Sequence, residues 1–371
     1  MKVLHLINNL KREGAQTVVL NLVTCGNRQE QVEHSVCVRQ PNGPLRPRLQ
    51  QCSIPVFAPE RYYGMISIIR MLGFIDRLIE DQGFDVIHAH LADAALLGWY
   101  VARKNSLPLL ITHHGNHLLP DCGALCRRFF LSGLKIAANY AYRNVAVSAS
   151  VAQQLKFELA LSPEKVIIIP NGVPVPATIN RGLSRSPERS APSIVTVGRL
   201  VSLKGYDQLI SAALTVVEKY DNARFVIVGE GPLEQELKQT IERSGLAGHM
   251  RLVGPTDDVP SFLRGADVYV STSHYEGMPL SVLEAMAWCV PVIVSDVPGN
   301  NDVVEHNISG LLYRLGDSEA LAEAIAGTIQ SPGTAAKRAL VARQMVQDKY
   351  STDIATDSYG ALYADAIASK N

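Results

Sequence analysis

The strongest constraint on how this chain folds is an alternation of short, uninterrupted apolar runs with longer amphipathic stretches, played through twice. Residues 2–7 (KVLHLI), 34–38 (HSVCV), 54–57, 85–88 (DVIH), 109–112 (LLIT), 144–148 (NVAVS) and 166–169 (VIII) read as strands, while 15–25, 66–82 and 91–104 have helical spacing. Strands that are apolar at consecutive positions, rather than at every second one, belong in a parallel sheet covered by helices on both faces. Residues 173–192 (VPVPATINRGLSRSPERSAP) have no hydrophobic period and are rich in Pro, Ser and Arg, the composition of a linker. The alternation then restarts, with strands at 194–198, 224–228, 250–253, 267–271 and 292–295 and helices at 205–220, 233–243 and 280–288. The expected fold class is α/β: two doubly wound, Rossmann-like domains over residues 1–172 and 193–371, facing each other across a cleft at the carboxyl ends of their strands, where such sheets bind ligands. The helical tail from about residue 318 is a candidate to pack back on the N-terminal domain.

Composition narrows the function classes. The 371 residues are 47% hydrophobic and 19% charged, and no apolar run reaches the roughly 18 residues of a membrane span. The opening MKVLHLINNL runs straight into a strand pattern without a signal-peptide cleavage site, which points to a cytoplasmic chain. Six cysteines (Cys25, Cys37, Cys52, Cys122, Cys126, Cys289) lack metal-like or redox spacing and read as reduced thiols. Net charge is zero, yet residues 1–172 carry 18 Lys/Arg against 12 Asp/Glu, and residues 193–371 carry 14 against 22. Such asymmetry reads either as a basic face for an anionic partner or as incidental surface composition. No dense basic cluster with interleaved aromatics is present, so nucleic acid is not an expected partner.

The most informative stretch runs from Ser271 to Leu312. A strand ends near Ser271, a loop carries Glu276 and Gly277, and Pro279 opens a helix at its favoured position. The first helical amides, at Leu280 and Ser281, form a natural phosphate site. Glu284 lies one turn further in, seven residues separating it from Glu276, so the two carboxylates suit opposite ends of a diphosphate-linked ligand and its paired sugar hydroxyls. The segment GRLVSLKGYDQLI (198–210) places Arg199 and Lys204 between a strand and a helix. Fixed cations there stabilise a diphosphate leaving group more as its bond breaks than before. Each of these charges alone reads as surface decoration; together they read as one site. In ITHHGNH (111–117), His113, His114 and His117, with His88 and His90 upstream, admit three readings: metal ligands, sugar contacts or structural histidines. Gly115 and the strand-end context favour a loop over a metal-binding helix. GEGP (229–232) reads as a strand-to-helix turn, PNGV (170–173) as a turn closing the first domain, and Gly14 as a point of close approach to a phosphate or acceptor.

These residues resemble glycosyltransferase family 4, retaining enzymes of the two-domain GT-B fold, over essentially the whole chain and most closely from Ile194 to Leu312. Glu276 and Glu284 match the family's E-x7-E motif; Gly198, Arg199, Lys204 and Gly205 match its G-R-x5-K-G pattern with one residue fewer; Thr112 and His114 match its T-x-H. The resemblance implies that Arg199 and Lys204 neutralise the donor diphosphate, and that Glu276 holds the transferred sugar with the amides of Gly277 and Met278. It implies that Leu280 and Ser281 amides bind the distal phosphate, Glu284 the ribose, main chain near Val253 the base, and that His114 contacts the donor sugar. It implies no metal or other cofactor, a nucleotide sugar as donor with UDP favoured, and front-face substitution in which Glu276 is not a nucleophile.

Two departures stand out. The family's N-terminal G-G-x-E loop reads Glu13, Gly14, Ala15, Gln16, and its G-G-x-x-E after the last strand reads Gly299, Asn300, Asn301, Asp302. VPGNND is similar to bacterial enzymes that build capsule, O-antigen or exopolysaccharide repeats on a lipid carrier at the inner membrane face. The segment holding Arg127, Arg128, Phe129, Phe130 and Lys135 is compatible with peripheral docking on anionic lipid. The competing expectations are a nucleotide-sugar epimerase of the same architecture and a non-catalytic glycan- or nucleotide-binding subunit.

Overall fold

The computed structural model describes residues 1–26, 32–59, 66–115, 123–179 and 191–370. His117, Cys122 and most of the Pro/Ser/Arg-rich segment lie outside these residues. The chain forms two compact units, Met1–Gly172 with Ser351–Asn371, and Val173–Tyr350.

In the first unit the strands are β1 (Lys2–Ile7), β2 (Glu33–Val38), β3 (Val56–Phe57), β4 (Val86–His90), β5 (Leu109–His113), β6 (Arg143–Ala146) and β7 (Val166–Ile168). They form one parallel sheet in the order β3-β2-β1-β4-β5-β6-β7. The second unit holds β8 (Ser193–Val197), β9 (Arg224–Val228), β10 (Met250–Gly254), β11 (Val268–Ser271), β12 (Val292–Ser295) and β13 (Leu311–Tyr313). Their order is β10-β9-β8-β11-β12-β13, again all parallel. Both sheets are Rossmann-like, as the unalternating apolar runs predict. Strand order reverses between β1 and β4 in one unit and between β8 and β11 in the other. At such a switch point the loops leaving neighbouring strands diverge to opposite faces and leave a crevice.

Apolar burial explains why each sheet holds. Ile194, Leu209, Phe225, Val268 and Ile293 sit in one continuous core of the second unit. The last helix, Thr352–Ala368, belongs to the first unit, where Tyr359, Leu362 and Tyr363 pack with Val3, Val86, Leu110 and Val145. Gly172 allows this return, because a Cβ there would stand 2.6 Å from the Thr352 backbone. In the second unit the buried Arg343 donates to the carbonyls of Ala287 and Pro176. A cation at Ala287 opposes the carbonyl end of the helix Leu280–Ala287.

One expectation is corrected. Cys126 is disulfide-bonded rather than a reduced thiol, whereas Cys25, Cys37, Cys52 and Cys289 remain thiols. Nothing in the cysteine pattern of a chain read as cytoplasmic signalled a bridge at Cys126.

The first unit also buries an unusual number of imidazoles. His5, His88 and His90 are fully buried and His34 and His113 nearly so. Burial holds the first three well below their ordinary value of 6.5 and lowers His34 and His113 to about 4. The unfolded chain takes up protons at these rings near 6.5 while the folded chain does not, so their contribution to stability is complete above that pH and declines below it. Each histidine adds a slope of about 1.4 kcal/mol per pH unit. Several together offset the marginal stability of a domain within about one to two units below 6.5. We expect cooperative unfolding with proton uptake between about pH 6 and 4.5, read by circular dichroism across a pH series. An unfolding free energy that stays flat from pH 7 to pH 4 would contradict it.

Candidate active site

The second unit gathers most of the predicted site at the carboxyl edge of its sheet. β8 ends in the loop carrying Gly198, Arg199 and Lys204; β11 ends in the loop carrying Glu276 and Gly277. These strands flank the switch point, and their loops are joined across it. Lys204 Nζ lies 2.5 Å from Glu276 Oε1, with both side chains mostly shielded from solvent. Ser273 Oγ donates to the same carboxylate oxygen at 2.6 Å. The backbones are tied as well: Thr272 Oγ1 donates to the Lys204 carbonyl, and the His274 amide to that of Leu203. A desolvated ion pair costs more to form than an exposed one and is specific in geometry. Here it fixes a cation and a carboxylate side by side at the mouth of the crevice.

The surrounding loops buttress this pair. Ser295 Oγ, at the end of β12, donates to the Ser273 carbonyl at 2.5 Å, and the buried Asn300 side chain donates to the Ser295 carbonyl. Gly299 has φ +87°, and a Cβ there would stand 2.2 Å from the Glu276 carbonyl oxygen. Only glycine meets both demands. The GEGP turn holds the other side. A Cβ at Gly229 would come within 1.9 Å of the Gly198 carbonyl, and the Leu200 amide donates to Glu230. This turn therefore supports the Arg199 loop, a role that its reading as a plain strand-to-helix turn missed.

The helix Leu280–Ala287 begins after Pro279 with no side-chain cap, leaving its first amides for another acceptor. Leu280, Ser281 and Glu284 are half-buried along its first turns, Gly277 and Met278 are buried in the loop before it, and Ser281 Oγ accepts from the buried Tyr269 hydroxyl at 2.8 Å. Arg199 is exposed at the carboxyl end of β8, and Val253 lies half-buried in β10, two strands from β8.

Gly14 and His114 belong to the first unit. Gly14 is the exposed first residue of the helix Gly14–Gly26, with open space around it. His114 follows β5 and is half-buried. His113 is structural: its Nε2–H donates to Asn144 Oδ1 at 3.1 Å, and the Asn144 amide is held by the Ala138 carbonyl. His5, His88 and His90 lie close enough to suggest a metal site. Yet every ring nitrogen of these three has a hydrogen-bond partner in histidine, Tyr363 or Thr112, so metal binding would require dismantling that network.

The two glycines make a paired test. Gly299→Ala places a methyl group against the Glu276 carbonyl in a left-handed conformation and should cost at least about 2 kcal/mol. Gly14→Ala, with nothing within 4 Å, should be neutral or slightly stabilising. Chemical denaturation of both variants measures the difference; equal stabilities would contradict the packing described.

Comparison with known proteins agrees with this architecture. The family profile "Glycosyltransferase Family 4" matches residues 12–175, and "Glycosyl transferases group 1" matches residues 184–345. The chain is 30% identical over 299 residues to the Escherichia coli UDP-Gal:alpha-D-GlcNAc-diphosphoundecaprenol alpha-1,3-galactosyltransferase, covering 76% of this chain and 77% of that one. It is 30% identical over 261 residues to the phosphatidyl-myo-inositol mannosyltransferase of Mycobacterium leprae, covering 69% and 67%. Among solved structures, Anabaena HepE in complex with UDP-glucose superposes with a TM-score of 0.82 at 22% identity over 100% of both chains. The fold is thus the GT-B arrangement of two Rossmann-like domains, and the chain belongs to glycosyltransferase family 4.

Proposed function

We propose that this enzyme is a retaining glycosyltransferase that moves a hexose-type sugar from a nucleoside diphosphate donor, UDP favoured, to a glycan or lipid-linked glycan acceptor in surface polysaccharide synthesis. The observation that carries this reading is the Lys204–Glu276 pair across the switch point, beside a helix whose first amides are uncapped. In the proposed complex Arg199, Lys204 and the Leu280 and Ser281 amides neutralise the diphosphate, so no metal is needed. Glu284 takes the ribose hydroxyls, and Val253 lies near the base. Glu276 holds the transferred sugar with the Gly277 and Met278 amides. Its carboxylate already accepts from Lys204 and Ser273, and this engagement suits a sugar holder better than a nucleophile. The relatives' printed substrates, a UDP-sugar and a diphosphoundecaprenol-linked acceptor in one and a phosphatidylinositol in the other, support donor and acceptor classes of this kind.

Turnover is expected with a UDP-sugar even without acceptor, as slow release of UDP that is insensitive to EDTA. Lys204→Ala and Glu276→Ala should each lower it by about 100-fold or more. Anomeric NMR of the acceptor product should give retained configuration; inversion would contradict the proposed mechanism. Conversion of the donor to an epimeric sugar without UDP release would favour the epimerase, and binding without turnover would favour the non-catalytic subunit.

Membrane contact is part of the same proposal. No helix among the described residues is long and apolar enough to cross a membrane. The helix Ala124–Tyr140, however, turns Leu125, Phe129, Ile136 and Tyr140 outward along one stripe while Leu134, Ala137 and Ala138 face the core. Arg127, Arg128 and Lys135 flank that stripe in sequence, the pattern of a helix lying in an anionic interface. At low salt the chain should co-sediment with phosphatidylglycerol vesicles. Phe129→Asp, or Arg127→Glu with Arg128→Glu, should reduce the bound fraction severalfold. Failure of the unmodified chain to pellet would remove the membrane from the proposal.

A further inference from the structure

Beneath the switch point of the second unit a single tyrosine hydroxyl touches both sides of the crevice. Tyr269, 1% exposed, is the second residue of β11 and pairs in register with Val195 of β8 and Val292 of β12. Its Oη lies 2.8 Å from Ser281 Oγ, in the first turn of the helix Leu280–Ala287, and 3.4 Å from the carbonyl oxygen of Val197, the last residue of β8. The phenol therefore ties the end of one flanking strand to the helix that follows the other.

A phenol has one proton to give. The Ser281 contact has the length of an ordinary O–H···O bond and the Val197 contact is long, so the proton goes to Ser281. Burial raises the pKa of Tyr269, and the nearby carboxylates of Glu276 and Glu284 push in the same direction, so the group stays a donor. Ser281 Oγ accepts from it and keeps its own hydrogen for another acceptor. Serines and threonines deeper in the helices, such as Ser132, Thr240 and Thr328, give that hydrogen to the carbonyl four residues back. Ser281 stands second in its helix and has no helical carbonyl behind it, and among the described residues none accepts from it. Its hydroxyl is thus held by the oxygen and uncommitted at the hydrogen, beside amides that no side chain caps.

We propose that Tyr269 is a positioning residue, which anchors Ser281 Oγ as an acceptor and so leaves its O–H as a third donor, beside the Leu280 and Ser281 amides, for the distal phosphate of the nucleoside diphosphate. The phosphate contact rests on the glycosyltransferase reading and deepens it; the bond between Tyr269 and Ser281 does not. A hydroxyl that already accepts a hydrogen bond is polarised into a better donor. One whose oxygen is fixed also loses less freedom when the ligand arrives.

Calorimetric titration of the full chain with UDP and UMP, and in parallel with GDP and GMP, tests this, because the monophosphates lack the distal phosphate. Ser281→Ala should weaken diphosphate binding about tenfold or more, the value of one hydrogen bond to a charged group. Tyr269→Phe, which removes one buried oxygen, should weaken it about threefold or more through the lost polarisation and anchoring. Monophosphate binding should be unchanged in both, which also reports that each variant is folded. The double variant should lose no more than Ser281→Ala alone, since the phenol acts only through that hydroxyl. A purely structural Tyr269 would weaken monophosphate and diphosphate alike, or add its loss to that of Ser281→Ala, and either result overturns the proposal. Diphosphate binding by Tyr269→Phe as tight as that of the unmodified chain also overturns it. If the unmodified chain binds none of the four nucleotides, the glycosyltransferase reading fails and takes the proposal with it; if it binds them and the variants depart from this pattern, the proposal alone fails.

Discussion

The contact on which the candidate site depends is the one between Lys204 and Glu276. Each residue sits on a loop leaving a strand, and those strands, β8 and β11, lie on either side of the point where the sheet reverses its order. A parallel sheet wound both ways leaves a crevice there for topological reasons alone. Under the proposed function, the residues on these loops turn the crevice into an anion- and sugar-binding site. The pair is held from three directions: by Ser273 on its own loop, by the Gly299 turn pressed against the Glu276 backbone, and by the GEGP turn beneath the Arg199 loop. Close approach of backbone to backbone at Gly229 and Gly299 makes the geometry rigid, and rigidity lets a few charges act at a defined place.

Much of this was legible before any coordinates. β1, β9 and β12 fall on the apolar runs at 2–7, 224–228 and 292–295, because strands buried on both faces are apolar at most positions. The helix Ile66–Gln82 likewise matches its periodic stretch. The site motifs could be placed because their neighbours are turn and cap residues whose chemistry is local. β13 was missed: three residues at a sheet edge leave too little pattern for a strand. The helix Ala124–Tyr140 was missed because its apolar residues face both inward and outward, which blurs a one-sided period.

The buried histidine network was hidden for a different reason. His5 and His34 interrupt runs that otherwise read as ordinary strands, and nothing in their spacing connects them to His90 or His114. Only strand order brings them together, since β2, β1, β4 and β5 are neighbours in space but not in sequence. The same is true of the final helix, which returns Tyr359 and Tyr363 to the first unit from more than 240 residues away, as the Thr112–Tyr359 hydrogen bond records with a separation of 247. Polar side chains inside a core persist when they satisfy one another, and a network spread over four strands and a distant helix has no local signature.

In the proposed complex the diphosphate lies between Lys204 and the first turn of the helix Leu280–Ala287. A crystal structure of the full chain with UDP tests that placement most directly. Phosphate oxygens within hydrogen-bond distance of the Leu280 and Ser281 amides and of Lys204 Nζ, with the ribose on Glu284, are the expected result. A diphosphate bound elsewhere on the chain, or held at this edge without contact to Lys204 or that helix, would contradict it.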